Sequence, residues 1–135
     1  MKVTGQCHCG AITYEADVEH DSITICHCRD CQRLSGTAFR ANVAAPSKAF
    51  RLLRGEPRSY IKTADSGARR RHAFCGQCGA PVYSCAVENP QSYTLRVGAL
   101  DQASELGKPV SQIWTRRRLG WVPAIAGVHE HEGQP

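Results

Sequence analysis

A chain of 135 residues with 12 Gly, 7 Pro and only 7% aromatics can bury one modest core, and its lack of long apolar-periodic segments favours many short strands joined by turns over a helical bundle. Its longest charge-free stretches, such as 73–87, are interrupted by Gly, Pro and Cys and fall short of the roughly 20 apolar residues that span a bilayer. The formal net charge is +5, with Arg dominating the 17 basic residues, and Arg suits a bidentate grip on carboxylate or phosphate better than Lys does.

Taken in order, residues 1–7 read as a short strand that reaches a polar residue and Cys7 before any apolar run. No secretory leader is therefore expected, and the expected location is cytoplasmic. Gly10 permits a tight turn. Ile12, Tyr14 and Ala16 alternate with polar residues as a half-buried strand. After a polar turn, 22–26 reads as a strand that pairs antiparallel with 12–16 and ends at Cys26. Residues 28–34 predict one short helix stopped by Gly36, with Asp30 and Arg33 suiting its dipole. Residues 37–44 follow as a strand.

Residues 50–53 and 58–62 predict a hairpin around Gly55-Glu56-Pro57, and 63–67 a mobile loop. Residues 69–74 and 80–87 read as a second hairpin with Cys75 and Cys78 at its tip. A strand at 93–97, a loop or single helical turn at 101–109, and short apolar pieces at 112–115 and 119–122 complete the pattern. The expected organisation is a single domain over 1–128 and a disordered tail over 129–135.

Eight cysteines in a reducing compartment are better read as metal ligands than as disulfides. A structural zinc site is a closed set of four ligands, whereas a catalytic one keeps a position open. Adding Cys26, Cys28 and Cys31 to either flanking pair would give five thiolates. Joining Cys7 and Cys9 to Cys75 and Cys78 gives a complete four-sulfur site and leaves the triplet with three. Cys85 either closes the triplet or is a small buried core residue. If Cys7 and Cys9 lie on a strand, they share one face and His8 points away; the same holds for Cys26 and Cys28 around His27. His8 and His27 read as solvent-facing or hydrogen-bonded spacers, and His72 as an alternating strand residue. Arg69 to Arg71 and Arg116 to Arg118 read as solvated faces, with one member of each run a candidate for a pocket. Arg29, Arg33 and Arg40 are the cations nearest the triplet in sequence, and so the candidates for an anionic substrate.

The segments Gly5-Gln6-Cys7-His8-Cys9-Gly10, Cys26-His27-Cys28-Arg29-Asp30-Cys31-Gln32-Arg33 and Phe74-Cys75-Gly76-Gln77-Cys78-Gly79 together resemble the glutathione-dependent formaldehyde-activating enzyme family, which includes centromere protein V. Gly98-Ala99-Leu100-Asp101 looks like that family's GxLD stretch, and Trp121 like its C-terminal tryptophan. The resemblance implies a mainly β fold of several coiled antiparallel β-sheets, a β-tent around zinc. It implies two zinc ions per chain: a structural one on Cys7, Cys9, Cys75 and Cys78, and a catalytic one on Cys26, Cys28 and Cys31. It also implies a carbon–sulfur lyase that joins a small thiol such as glutathione to formaldehyde, or cleaves the adduct. The alternative is a non-catalytic zinc module that binds nucleic acid or a protein partner. Seven thiolates on two zinc ions would lower the net charge from +5 to about +2, so nucleic acid is disfavoured by charge and by the lack of aromatics among the Arg runs. A homo-oligomer is compatible with the pattern.

Overall fold

A computed structural model describes residues 1–135. The strands of the first half are β1 (Lys2–Gln6), β2 (Thr13–Asp17), β3 (Ile23–Cys26), β4 (Arg40–Pro46), β5 (Arg51–Arg54) and β6 (Arg58–Thr63); α1 (Arg29–Ser35) lies between β3 and β4. Those of the second half are β7 (Arg69–Phe74), β8 (Pro81–Ala86), β9 (Ser92–Arg96), β10 (Pro109–Ile113) and β11 (His129–Glu130). They form a three-stranded sheet in the order β1-β2-β5 and an eight-stranded sheet in the order β11-β10-β3-β4-β9-β8-β7-β6. The fold is mainly β with one α-helix, as the sequence predicts. No helix is long and apolar enough to cross a membrane.

The two sheets meet through one apolar cluster that takes Val3, Tyr14 and Ala16 from the small sheet and Val43, Ala45, Val82 and Leu95 from the large one. Their alternation along each strand puts every second side chain on the inner face. Phe50 joins the halves: its ring lies 5.5 Å from Tyr14, 5.3 Å from Tyr83 and 4.3 Å from Tyr93, stacked on the last. Such aromatic pairs add to the area they bury. Gly5 lies opposite Tyr14 on the β1–β2 ladder, and the ring occupies the space a Cβ would take, at 2.3 Å.

Several local expectations give way to tertiary pairings. The predicted ladder between 12–16 and 22–26 does not form. β2 is held between β1 and β5, whereas β3 lies antiparallel to β4 and parallel to β10. Asp21 makes the hand-over: its N–H donates to Leu106 O at 2.9 Å and its carboxylate accepts from Lys108 N at 2.8 Å, drawing the chain to a distant segment. Nor do 50–53 and 58–62 form a hairpin with each other. β5 pairs with β2 and β6 with β7, so Gly55-Glu56-Pro57 carries the chain from one sheet to the other. Gly55 there has φ +80 and comes so close to Ala11 O that a Cβ would lie 2.3 Å from it.

Residues 129–135, expected to be disordered, are tied down. β11 adds to β10 in parallel, and beyond it His131 N donates to Gln112 O at 2.9 Å and Thr115 N to His131 O at 3.1 Å. A bare edge of β10 would leave its peptide groups unpaired, which is what the tail corrects. The ladders of β10 with β3 and β11 are parallel, the others antiparallel, so the all-antiparallel expectation needs that amendment. The loop over 63–67 is a short turn closed by Ala64 N donating to Ala68 O at 2.8 Å. The strand expected over 37–44 begins instead at Arg40, after a turn in which Thr37 Oγ1 donates to Phe39 O at 2.6 Å.

Candidate functional site

Two loops of similar construction carry four of the cysteines. In one, Cys7 N donates to Ile12 O at 3.1 Å and Gly10 takes φ +79; in the other, Cys75 N donates to Ala80 O at 2.9 Å and Gly79 takes φ +79. The first sulfur of each accepts backbone N–H groups: Ile12 N to Cys7 Sγ at 3.3 Å, Gln77 N and Cys78 N to Cys75 Sγ at 3.3 and 3.4 Å. Such bonds stabilise a thiolate. Cys7 and Cys9 thus share a partner through a turn and not, as expected, through a strand, because β1 ends at Gln6. All four sulfurs lie within 4.8 Å of one another. The distances Cys7–Cys9 and Cys9–Cys75 are both 3.7 Å, close to the edge of about 3.8 Å set by Zn–S bonds of about 2.3 Å in a tetrahedron. This donor set could hold a metal ion. It would join the small sheet, through the β1–β2 loop, to the large one, through the β7–β8 loop.

The triplet is built where β3 gives way to α1. Cys26 ends the strand, and Cys28 caps the helix by accepting Cys31 N at 3.3 Å. Cys31 on the first turn completes a group whose sulfurs again lie within 4.8 Å of one another. Gly36, left-handed at φ 71, stops the helix as predicted. His27, between Cys26 and Cys28 in sequence, is fully buried, its Nε2 2.6 Å from Gln112 Oε1. Gln32 fastens the same corner by donating to His27 O at 2.9 Å and to Arg117 O at 3.0 Å. Hydrogen bonds with Cys26, then Cys31, hold the Cys28 thiol well below its ordinary range, while the same contacts push Cys26 up. Cys85 stands apart on β8 at 2% exposure within the apolar core, and no fourth cysteine joins the triplet.

The triplet opens into a cavity of about 730 Å³. Its wall carries Arg29, Arg40, Lys62, Arg70 and Arg117, and its one acidic residue is Asp30. That carboxylate is already engaged by Lys62 at 2.6 Å, so the guanidinium groups have no acidic partner there. Arg40 stands opposite Cys26 on the β3–β4 ladder and donates from Nη2 to Cys31 Sγ at 3.0 Å. Arg29 turns along its own helix to Gln32 Oε1.

Of the arginines singled out from sequence, Arg29 and Arg40 line this cavity, whereas Arg33, one turn further along α1, is exposed and does not. Arg70 and Arg117 are the members of their arginine runs that reach the pocket. Sequence reading missed Lys62 and His72 as cavity residues. Cross-strand register brings them together: Lys62 is opposite Arg70, and His72 lies between Tyr60 and Ser84 on neighbouring strands. The only signal in the sequence is the two-residue spacing of Arg70 and His72, which puts both on one face of β7. Burial, then the surrounding Arg40, Arg96, Arg70 and Lys62, pulls His72 down to about 4, leaving a neutral ring. Among the other predicted motifs, Asp101 accepts from Thr4 Oγ1 at 2.6 Å while Leu100 enters the core. Trp121 is 75% exposed.

The fold is similar to that of a Rhodobacter sphaeroides protein solved by crystallography, with a TM-score of 0.60, 24% identity, and coverage of 78% of this chain and 96% of that one. The cysteine groups, their loops and strands β1 to β10 fall within the span that matches the model of the glutathione-dependent formaldehyde-activating enzyme, residues 2–117, and the chain belongs to that family.

Proposed function

We propose that the protein is a zinc-dependent carbon–sulfur lyase that joins a small acidic thiol, such as glutathione, to a small aldehyde, such as formaldehyde, or reverses that addition. The observation that carries this reading is a three-sulfur group with no fourth protein donor, opening onto a wide and strongly cationic cavity. In it, Cys7, Cys9, Cys75 and Cys78 hold a structural zinc, and Cys26, Cys28 and Cys31 a catalytic one. The chemistry supplied by zinc on three thiolates is capture and deprotonation of an incoming thiol, the nucleophile that adds to a carbonyl carbon.

The chain's own residues orient that addition. Arg40 draws charge from Cys31 through its N–H···S contact. Arg29, Arg70 and Arg117 face the cavity without acidic partners and suit the carboxylates of an acidic thiol. Lys62, braced on Asp30, keeps that carboxylate from competing with the substrate. Across the whole reaction a sulfur–carbon bond forms, and the thiol proton ends on the former carbonyl oxygen. The cleavage direction returns it.

Metal content measured before and after adding glutathione is the direct test: two zinc ions per chain are expected, one of them made exchangeable by the thiol. The Cys28→Ser variant is expected to retain one zinc and its fold, and to lose thiol-adduct formation. Two inert zinc ions indifferent to thiols would instead favour a binding module.

A further inference from the structure

Where β10 ends beside the cysteine triplet, the backbone takes a conformation that its residue type disfavours. Ile113 stands opposite Cys26 on the β10–β3 ladder, and its carbonyl accepts His27 N at 3.0 Å. The next residue, Trp114, takes φ 55 and ψ 41. This left-handed region is disfavoured for every residue but Gly, and Asn and Asp tolerate it best. The other non-Gly residues with positive φ are Asp21 and Asn89, so Trp114 is the strained one. In a regular strand, consecutive side chains point to opposite faces. The turn breaks that alternation, and Ile113 and Trp114 both line the cavity into which the triplet opens. Strain of this kind persists where the surrounding structure imposes it, and it gathers at functional sites.

The C-terminal residues help to impose it. Trp114 N donates to Gly133 O at 3.3 Å, Arg116 Nε to Glu132 O at 3.0 Å, and the indole Nε1–H to Gln134 Oε1 at 3.1 Å. An indole N–H only donates, so the Gln134 atom that meets it is the oxygen. The amide nitrogen of Gln134 makes no hydrogen bond within the chain, and this residue, exposed to solvent, is part of the cavity wall. The wall therefore has two chemistries. Arg29, Arg70 and Arg117 offer charge, whereas Ile113, Trp114 and Gln134 offer an apolar strip that ends in a neutral donor. The first group suits carboxylates. The second suits an apolar stem and an uncharged carbonyl, the pairing found in a peptide.

We propose that Trp114 and Gln134 are specificity residues of this cavity: Gln134 Nε2 donates to an amide carbonyl of the thiol substrate, and Trp114 packs along the substrate's chain while holding Gln134 in place. The inference rests on the reaction proposed above and narrows its substrate to a peptidic thiol in preference to a simple acidic one. The C-terminal segment is then a wall of the site as well as an edge of the sheet.

The test compares glutathione with 3-mercaptopropionate, an acidic thiol without an amide, as partners of formaldehyde for the full-length, zinc-loaded protein. Gln134→Ala is expected to lower the ratio of kcat/KM for glutathione to that for 3-mercaptopropionate about three- to tenfold, the worth of one neutral hydrogen bond, and to do so through KM. Trp114→Gly, whose backbone accepts φ 55 without strain, should lower the ratio at least as far. Equal losses with both thiols, or none, would overturn the two specificity roles and leave the reaction standing. Should the wild-type protein turn over neither thiol, the reaction fails and binding alone decides. Trp121→Phe leaves Trp114 as the one remaining tryptophan. S-methylglutathione should change its emission saturably, with weaker binding when Gln134→Ala is added. Emission indifferent to S-methylglutathione would overturn the proposal, and this measurement stands even if Trp114→Gly folds poorly.

Discussion

Gly5 and Tyr14 illustrate how little room single positions have. Tyr14 is fully buried, and its ring fills the space above Gly5. Gly5→Ala must therefore displace an aromatic ring that packs on Phe50. Overpacking of this kind costs about 1–3 kcal/mol, and a lower denaturant midpoint of the metal-loaded protein, at unchanged slope, is the expected result.

His72 makes a second prediction at this scale. Its folded-state value, about 4, lies below its ordinary 6.5. Between these values the unfolded chain binds a proton that the folded one refuses, so stability falls as pH drops through this window. Cysteine protonation adds its own acid sensitivity. The contribution of His72 is therefore read as the difference from His72→Gln, whose stability should fall less steeply from pH 6.5 to 4. Parallel profiles would mean that the ring is not held neutral.

Among the elements, the C-terminal segment turns an edge strand into an interior one. Its ties to β10 and the turn after it are mostly backbone: His131 N to Gln112 O, Thr115 N to His131 O and Trp114 N to Gly133 O. The Arg118–Glu130 pair at 2.7 Å is surface-exposed and contributes little by comparison. Truncation after Val128 is accordingly expected to abolish the hydrogen-exchange protection of Thr115, while Glu130→Gln preserves it. Protection in β6 to β8 should survive both changes. Protection retained at Thr115 in the truncated chain would mean that the tail is a passenger.

For the molecule as a whole, the two cysteine groups occupy different mechanical positions. Cys7 and Cys9 belong to the loop of the small sheet, Cys75 and Cys78 to a loop of the large one. The triplet lies within the large sheet and the helix that leaves it. Metal binding is folding free energy where it joins separate parts of the chain. Cys7→Ser is therefore expected to lower the melting temperature sharply and to expose the Phe50 cluster, read as dye binding, whereas Cys28→Ser lowers it little. Equal losses would mean that both groups are structural.

The sequence alone determined the β class, the short helix with its Gly36 stop, and the division of cysteines into a quartet and a triplet. These follow from local quantities: alternation at period two, a left-handed cap, and ligand arithmetic. Strand partners were out of its reach, because β2, β3 and β5 carry patterns that suit several neighbours and only distant contacts choose among them. Asp21 handing the chain to Leu106 and Lys108 is such a contact. The cavity wall was decided the same way. Lys62, Arg70 and His72 look like ordinary strand residues until cross-strand register gathers them with Arg40, which local spacing does not encode.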